Sequence, residues 1–226
     1  MNMKHLIIII FALLCNTQGF AQKAAADSAY ADGRYEEAVA LYDSLFAAEG
    51  PSAEVFYNLG CCHYRLDNVA LSVLNFERAL LLEPGDDDIR HNLEMARAKT
   101  IDKITPHHEI FFVTWGRQIV NTMSVGSWAM IAVTAFSVML VCLIAYLFAS
   151  QMWIKKTGFY TAVVALIVCI ITNVCAWQGR QAQLVRMGAV VMSSSAVVRS
   201  TPAKSGVDLF VVHEGTRLDI VDDTMR

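Results

Sequence analysis

The chain has 226 residues, 55% of them hydrophobic, with a mean hydropathy of +0.42 and a formal net charge of −3. So apolar a composition excludes an ordinary water-soluble protein of this length. The charge is uneven, with fourteen acids against seven bases in residues 22–100, which argues against nucleic acid or anionic lipid as a partner of that region.

Residues 1–21 read as a secretory signal. Lys4 is followed by the apolar run Leu6–Leu14 and then by Gly19-Phe20-Ala21, a charged start, an apolar stretch and a small-x-small end. Leu14 stands before Cys15 where lipid attachment would want a small residue, so cleavage after Ala21 is expected instead.

Residues 22–103 carry a self-match at 34 residues. Gly60 falls on Ala26, Asp67-Asn68 on Gly33-Arg34, Phe76 on Tyr42, Ala79 on Leu45 and Pro84 on Gly50. Small residue, aromatic, small residue and helix stop at this period make the pattern of tetratricopeptide (TPR) helical hairpins. Gly60 is expected to let two helices approach and Phe76 to fill the space between them, with Pro84 ending the second helix. Two repeats are expected, followed by a helix from Asp87 to about Lys103 that caps the solenoid, its acids at the end where the helix dipole favours negative charge.

Residues 104–126 form a juxtamembrane linker whose Phe111, Phe112 and Trp115 suit a headgroup region. Two charge-free apolar runs follow and are expected to span a bilayer at 127–149 and 158–178. The loop between them, 150–157, holds Lys155 and Lys156 and no acid, which places it in the cytoplasm by the positive-inside rule. The repeats and the C-terminal segment are then expected together on the other side. Asn173, the strongly polar residue within a span, is expected to bond across to the other helix. With no ionisable group in either span, pump and channel functions lose support.

Residues 188–226 change to short β-rich runs: Val190–Met192, Ala196–Val198, Leu209–Val212 and Leu218–Val221. Turns at Thr201-Pro202, Lys204–Gly206 and Glu214–Thr216 separate them, as at the opening of a small β-barrel. The fold expected is therefore mainly α: an exported TPR domain, a two-helix transmembrane hairpin and a partial SH3-like β domain at the C-terminus.

No catalytic constellation, cofactor site or metal site emerges. His107-His108-Glu109 lie adjacent on a linker, and His213 sits beside a turn without an evident partner. TPR arrays bind other chains, and the candidate binding residues follow from the period. Asn58 and Asn92 are 34 apart, as are Arg65 and Lys99, so each pair occupies equivalent places on successive first helices, and Tyr57 lies beside them. Amides there can bond a peptide backbone, and cations can hold a carboxylate.

The order of these parts resembles the BatE family of the Bat (aerotolerance) operon. The resemblance is carried by DDIRHNLEMARAKTIDKI at Asp87–Ile104, by the FFxxW of Phe111–Trp115 and by LFVVHEGTRLDI at Leu209–Ile220. It implies a subunit of a cell-envelope assembly in the bacterial inner membrane, with von Willebrand A-domain membrane proteins and, indirectly, a MoxR-type ATPase as partners. Members of the family continue past the strand at Leu218–Val221, so the barrel is expected to be incomplete here and to leave an open edge. The function expected is a non-enzymatic scaffold that recruits envelope proteins through the TPR domain. The alternative is an envelope sensor that grips peptidoglycan or a peptide with the SH3-like part.

Overall fold

The computed structural model describes residues 20–103, 111–185, 188–201 and 206–220. The signal core, the His107-His108-Glu109 triplet and the last six residues lie outside the described residues. The chain divides into two compact units, one from residues 1–80, 87–105 and 187–226, the other from 81–86 and 106–186.

The first unit opens with helix α1, over residues 20–31. It continues with α2 (Tyr35–Glu49), α3 (Ala53–Arg65), α4 (Val69–Leu82) and α5 (Asp87–Ala98). Helix α4 begins 34 residues after α2, and α5 begins 34 after α3. The turns repeat as well: Gly33 has φ 79° and Asp67, its counterpart, has φ 59°. Both close a helix in the left-handed region, which glycine adopts freely and Asp tolerates.

The repeat is built on close packing. Ala26, Ala29, Ala38 and Ala79 are fully buried, and Tyr42 and Phe76 are the large side chains enclosed by their hairpins. Tyr42 donates its hydroxyl to Asp27 Oδ1 at 2.5 Å. In the second hairpin Ser72 Oγ donates to the Gly60 carbonyl at 2.9 Å, joining α3 to α4. Val73, Phe76, Leu93 and Ala96 form a buried cluster between α4 and α5, with Tyr57, Cys61, Tyr64 and Val190 packed against it. Helix α5 thus covers the second hairpin, as its terminal position requires.

Val190 belongs to the C-terminal strands β1 (Gly188–Val190), β2 (Ser195–Arg199), β3 (Asp208–His213) and β4 (Arg217–Asp219). Strand β1 pairs antiparallel with β4, and β2 with β3. Val191 and Thr216 continue the ladder between the two pairs, with N–H···O bonds of 2.9–3.0 Å among Val191, Gly215 and Thr216. The four strands are therefore the two arms of one long, bent hairpin, whose register slips by one residue at the bend. The first strand thus pairs with the last, and the two middle strands pair with each other.

The second unit contains α6 (Phe111–Val120), α7 (Val125–Phe148) and α8 (Met152–Leu184). Helices α7 and α8 are each long and apolar enough to cross a membrane. At about 1.5 Å per residue α8 exceeds the thickness of a hydrocarbon layer by roughly 20 Å. It begins six residues before the expected span, so Lys155 and Lys156 stand within its first two turns and the connection shrinks to residues 149–151.

A seam of small residues joins α7 and α8. Gly158, Ala165 and Thr172 are buried on α8 at seven-residue spacing, and Gly179 continues the row. A Cβ on Gly158 would meet the Cys142 carbonyl at 3.1 Å, and one on Gly179 would meet Val125 Cγ2 at 2.9 Å. Small residues at this spacing let two helix backbones approach over their whole length. Gly158→Leu is accordingly expected to loosen the hairpin by roughly 1–3 kcal/mol, the usual cost of overpacking. Earlier dissociation of helix contacts in an SDS titration of the full chain, with helix content unchanged, is the expected readout.

Candidate surface on the helical repeat

Four of the five expected binding residues, Tyr57, Arg65, Asn92 and Lys99, are engaged with other residues of the repeat. Asn92 on α5 donates through Nδ2 to the Tyr57 hydroxyl of α3 at 3.1 Å and to the Asp88 carbonyl at 2.8 Å. Lys99, just past α5, donates to Asp67 Oδ1 at 2.7 Å and stands 4.2 Å above the centre of the Tyr64 ring. Arg65, at the end of α3, forms a side-chain hydrogen bond with Tyr30 of α1, which raises its pKa.

These contacts repeat with the helices. Tyr30 and Arg65 are 35 residues apart, and so are Tyr64 and Lys99. In both cases a cation at the end of one first helix reaches back to the tyrosine at the end of the one before. The pairs tie successive hairpins together, a role that period alone cannot tell from ligand binding. Asn58 differs: it is half-buried on α3 and its amide has no hydrogen-bond partner among the described residues. A peptide backbone would meet a free amide there.

The cluster that sequence reasoning missed lies where the C-terminal hairpin meets the repeat. Asp102 Oδ2 accepts the His213 backbone N–H at 2.7 Å and the Thr216 hydroxyl at 2.8 Å, and its Oδ1 lies 2.9 Å from His213 Nδ1. These bonds hold the Asp102 carboxyl down at about 2. Close by in the same interface Glu77 of α4 pairs with Arg97 of α5 and, at 3.2 Å, with Arg217 of β4. A Cβ on Gly215 would come within 2.8 Å of Thr100 Cγ2, so only glycine seats the turn against the helices, and its φ of 79° asks for glycine as well. His213, without a partner in the sequence, finds one 111 residues away.

By the 34-residue period, Asp102 is the counterpart of Asn68, the residue that leads into α4. A further hairpin would place its second helix at this point, against α4 and α5. The β hairpin occupies that place, with Val190 in the cluster of Val73, Phe76, Leu93 and Ala96.

Elsewhere in the repeat, His63 is the buried residue whose ring nitrogen Nδ1 lacks a partner among the described residues. Burial lowers its pKa from 6.5, against a small opposing effect of Asp43. Burial also pushes the neighbouring Cys62 thiol up to about 12. These are the marks of packed interior groups rather than of reactive ones. No family model matches the chain, and no curated protein matches it.

Proposed function

We propose that this chain is a non-enzymatic, membrane-anchored scaffold of the bacterial cell envelope, in which the helical repeat recruits partner proteins and the α7–α8 hairpin fixes it in the inner membrane. The observation that carries the reading is the shared unit of repeat and C-terminal hairpin. Segments before and after the two apolar helices pack together through Asp102, Glu77 and Val190, and an even number of spans returns the chain to the side it left. Lys155 and Lys156, near the short connection, favour the cytoplasm for that end. This leaves the repeat and the hairpin on the periplasmic side.

The repeat is read as a pair of TPR hairpins with a capping helix, on its period, its left-handed turns and the Gly60–Phe76 contact. The β hairpin is read as the SH3-like part. The order of elements supports membership of the BatE family, and so von Willebrand A-domain membrane proteins as direct partners and a MoxR-type ATPase as an indirect one. Tyr57, Asn58 and Asn92 form the centre of the proposed peptide-binding face, with Arg65 and Lys99 at its margin.

Asn58→Ala is the cleanest test, because that side chain bonds no other described residue. The full chain, solubilised in mild detergent, is expected to retain its thermal unfolding and to lose several-fold in recovery of a von Willebrand A-domain partner. This is the effect of about one lost hydrogen bond to a peptide backbone. Unchanged recovery would move the binding surface off this face. A second reading, an envelope sensor that binds peptidoglycan or a peptide, draws on β3, where Leu209 and Phe210 are 58% and 55% exposed. Sedimentation of the full chain with peptidoglycan would favour it over the scaffold.

A further inference from the structure

Asn173 stands on the wrong side of its helix. The seam that joins α8 to α7 runs through Gly158, Ala165, Thr172 and Gly179, and Asn173 is one residue, about 100° of helix, away from it. The side chain is exposed, among Leu166, Ile170 and Trp177, which are exposed too. It does not bond across to α7, as the sequence led one to expect. Its Nδ2 donates to the Cys169 carbonyl of its own helix at 2.8 Å. Nδ2 also lies 3.5 Å from Cys169 Sγ, a weak acceptor, while Oδ1 has no partner among the described residues.

Four hydroxyls of the two helices are satisfied at home. Thr134, Ser137, Thr157 and Thr172 each donate a hydroxyl to a carbonyl one turn back, at 2.8–3.0 Å. A hydroxyl has one hydrogen and is content with that bond. A carboxamide has a carbonyl oxygen as well as its hydrogens, and donation within its own turn leaves that oxygen bare. In hydrocarbon such a group seeks a polar neighbour, and polar residues in spans ordinarily face other helices.

We infer that α8 pairs with α8 of a second copy of this chain through Asn173. An amide complements itself: across a two-fold axis along the membrane normal, each Asn173 N–H donates to the other's Oδ1, forming two reciprocal bonds. Two copies in one orientation place the residue at the same depth, which no other partner is obliged to do. Leu166, Ile170 and Trp177 lie on the same face at spacings of three and four residues and supply the apolar contact around it. The inference rests on the reading of α8 as a membrane span.

The test uses the full chain carrying donor or acceptor fluorophores at its C-terminus, reconstituted in phosphatidylcholine vesicles and diluted with lipid. Energy transfer in the wild type is expected to persist above the random-proximity level. Asn173→Leu is expected to shift its midpoint at least about tenfold toward higher protein density, with helix content unchanged, while Asn173→Gln largely restores pairing. Wild-type transfer at the random level, or an Asn173→Leu variant that pairs like the wild type, would overturn the inference. Extraction of the chain from native membranes by carbonate would overturn the spanning reading and the pairing with it. Retention through carbonate without pairing would remove the pairing alone.

Discussion

Asp102→Ala is expected to release the C-terminal β hairpin from the helices while the helices stay folded. The carboxylate accepts from the His213 backbone, the Thr216 hydroxyl and the His213 ring, and alanine replaces none of these bonds. A hairpin of two strands is marginal in water on its own, so loss of its cover exposes its ladder. Amide hydrogens of β3 and β4 are expected to exchange at least about tenfold faster, and those of α3 and α5 at their former rates. Unchanged protection of β3 would place the hold elsewhere, at Glu77–Arg217 or at Val190.

Acid should act on the same contact, and the sign follows from the direction of the shift. Asp102 titrates lower in the folded chain than its ordinary 3.8. Its contribution is complete above that value and is lost as pH falls from 3.8 toward about 2. His63 acts in a higher window. Its pKa is lowered from 6.5, so below that pH the unfolded chain takes up the proton more readily and the repeat weakens as pH falls. Acid is therefore expected to erode the helices first and to free the β hairpin afterwards. His63→Leu is expected to remove the first stage and leave the second.

What could be read in the sequence was local. The 34-residue period placed α3 and α4 because each hairpin is one stretch of chain whose small and aromatic residues recur in register. The two long apolar helices, α7 and α8, were legible because runs of about twenty apolar residues leave little choice of structure. The seating of the β hairpin was not legible, because Asp102 and its partners are more than a hundred residues apart. A solitary acid and a solitary histidine carry no pattern that links them. Asn173 is a different case. Its position beside a seven-residue row of small residues was a signal that it lies off the seam, and the polarity of the residue drew the expectation toward the neighbouring helix instead. Arg65 and Lys99 show the limit of periodicity: equivalence across repeats marks a shared role, and in this chain that role includes tying one hairpin to the next.

The contact of Gly60 with Phe76 should decide the stability of the repeat, and it offers a test in which one substitution changes sign. Gly60 lies within α3 and is buried. A Cβ there would stand 2.7 Å from both Cδ1 and Cε1 of Phe76, whose ring is 1% exposed and cannot swing away. Two effects of Gly60→Ala oppose each other. Alanine favours a helix interior by up to about 1 kcal/mol, while the clash costs about 1–3 kcal/mol through displaced side chains and backbone. The Ser72 bond to the Gly60 carbonyl holds α4 against α3 and blocks relief by separation, so the clash is expected to win and Gly60→Ala to destabilise. Phe76→Ala removes the ring and is expected to cost about 3–5 kcal/mol as a cavity. The same change removes Cγ, Cδ1 and Cε1, all three ring atoms that the new methyl would strike. In that background the clash is relieved and the helix preference remains, so Gly60→Ala is expected to be neutral or stabilising. Urea unfolding of the four chains, wild type, both single variants and the double, gives the coupling directly. A coupling near zero, with Gly60→Ala equally harmful in both backgrounds, would mean that the glycine serves the helix backbone rather than the aromatic ring, and the helix-on-helix account of the repeat would fail at its centre.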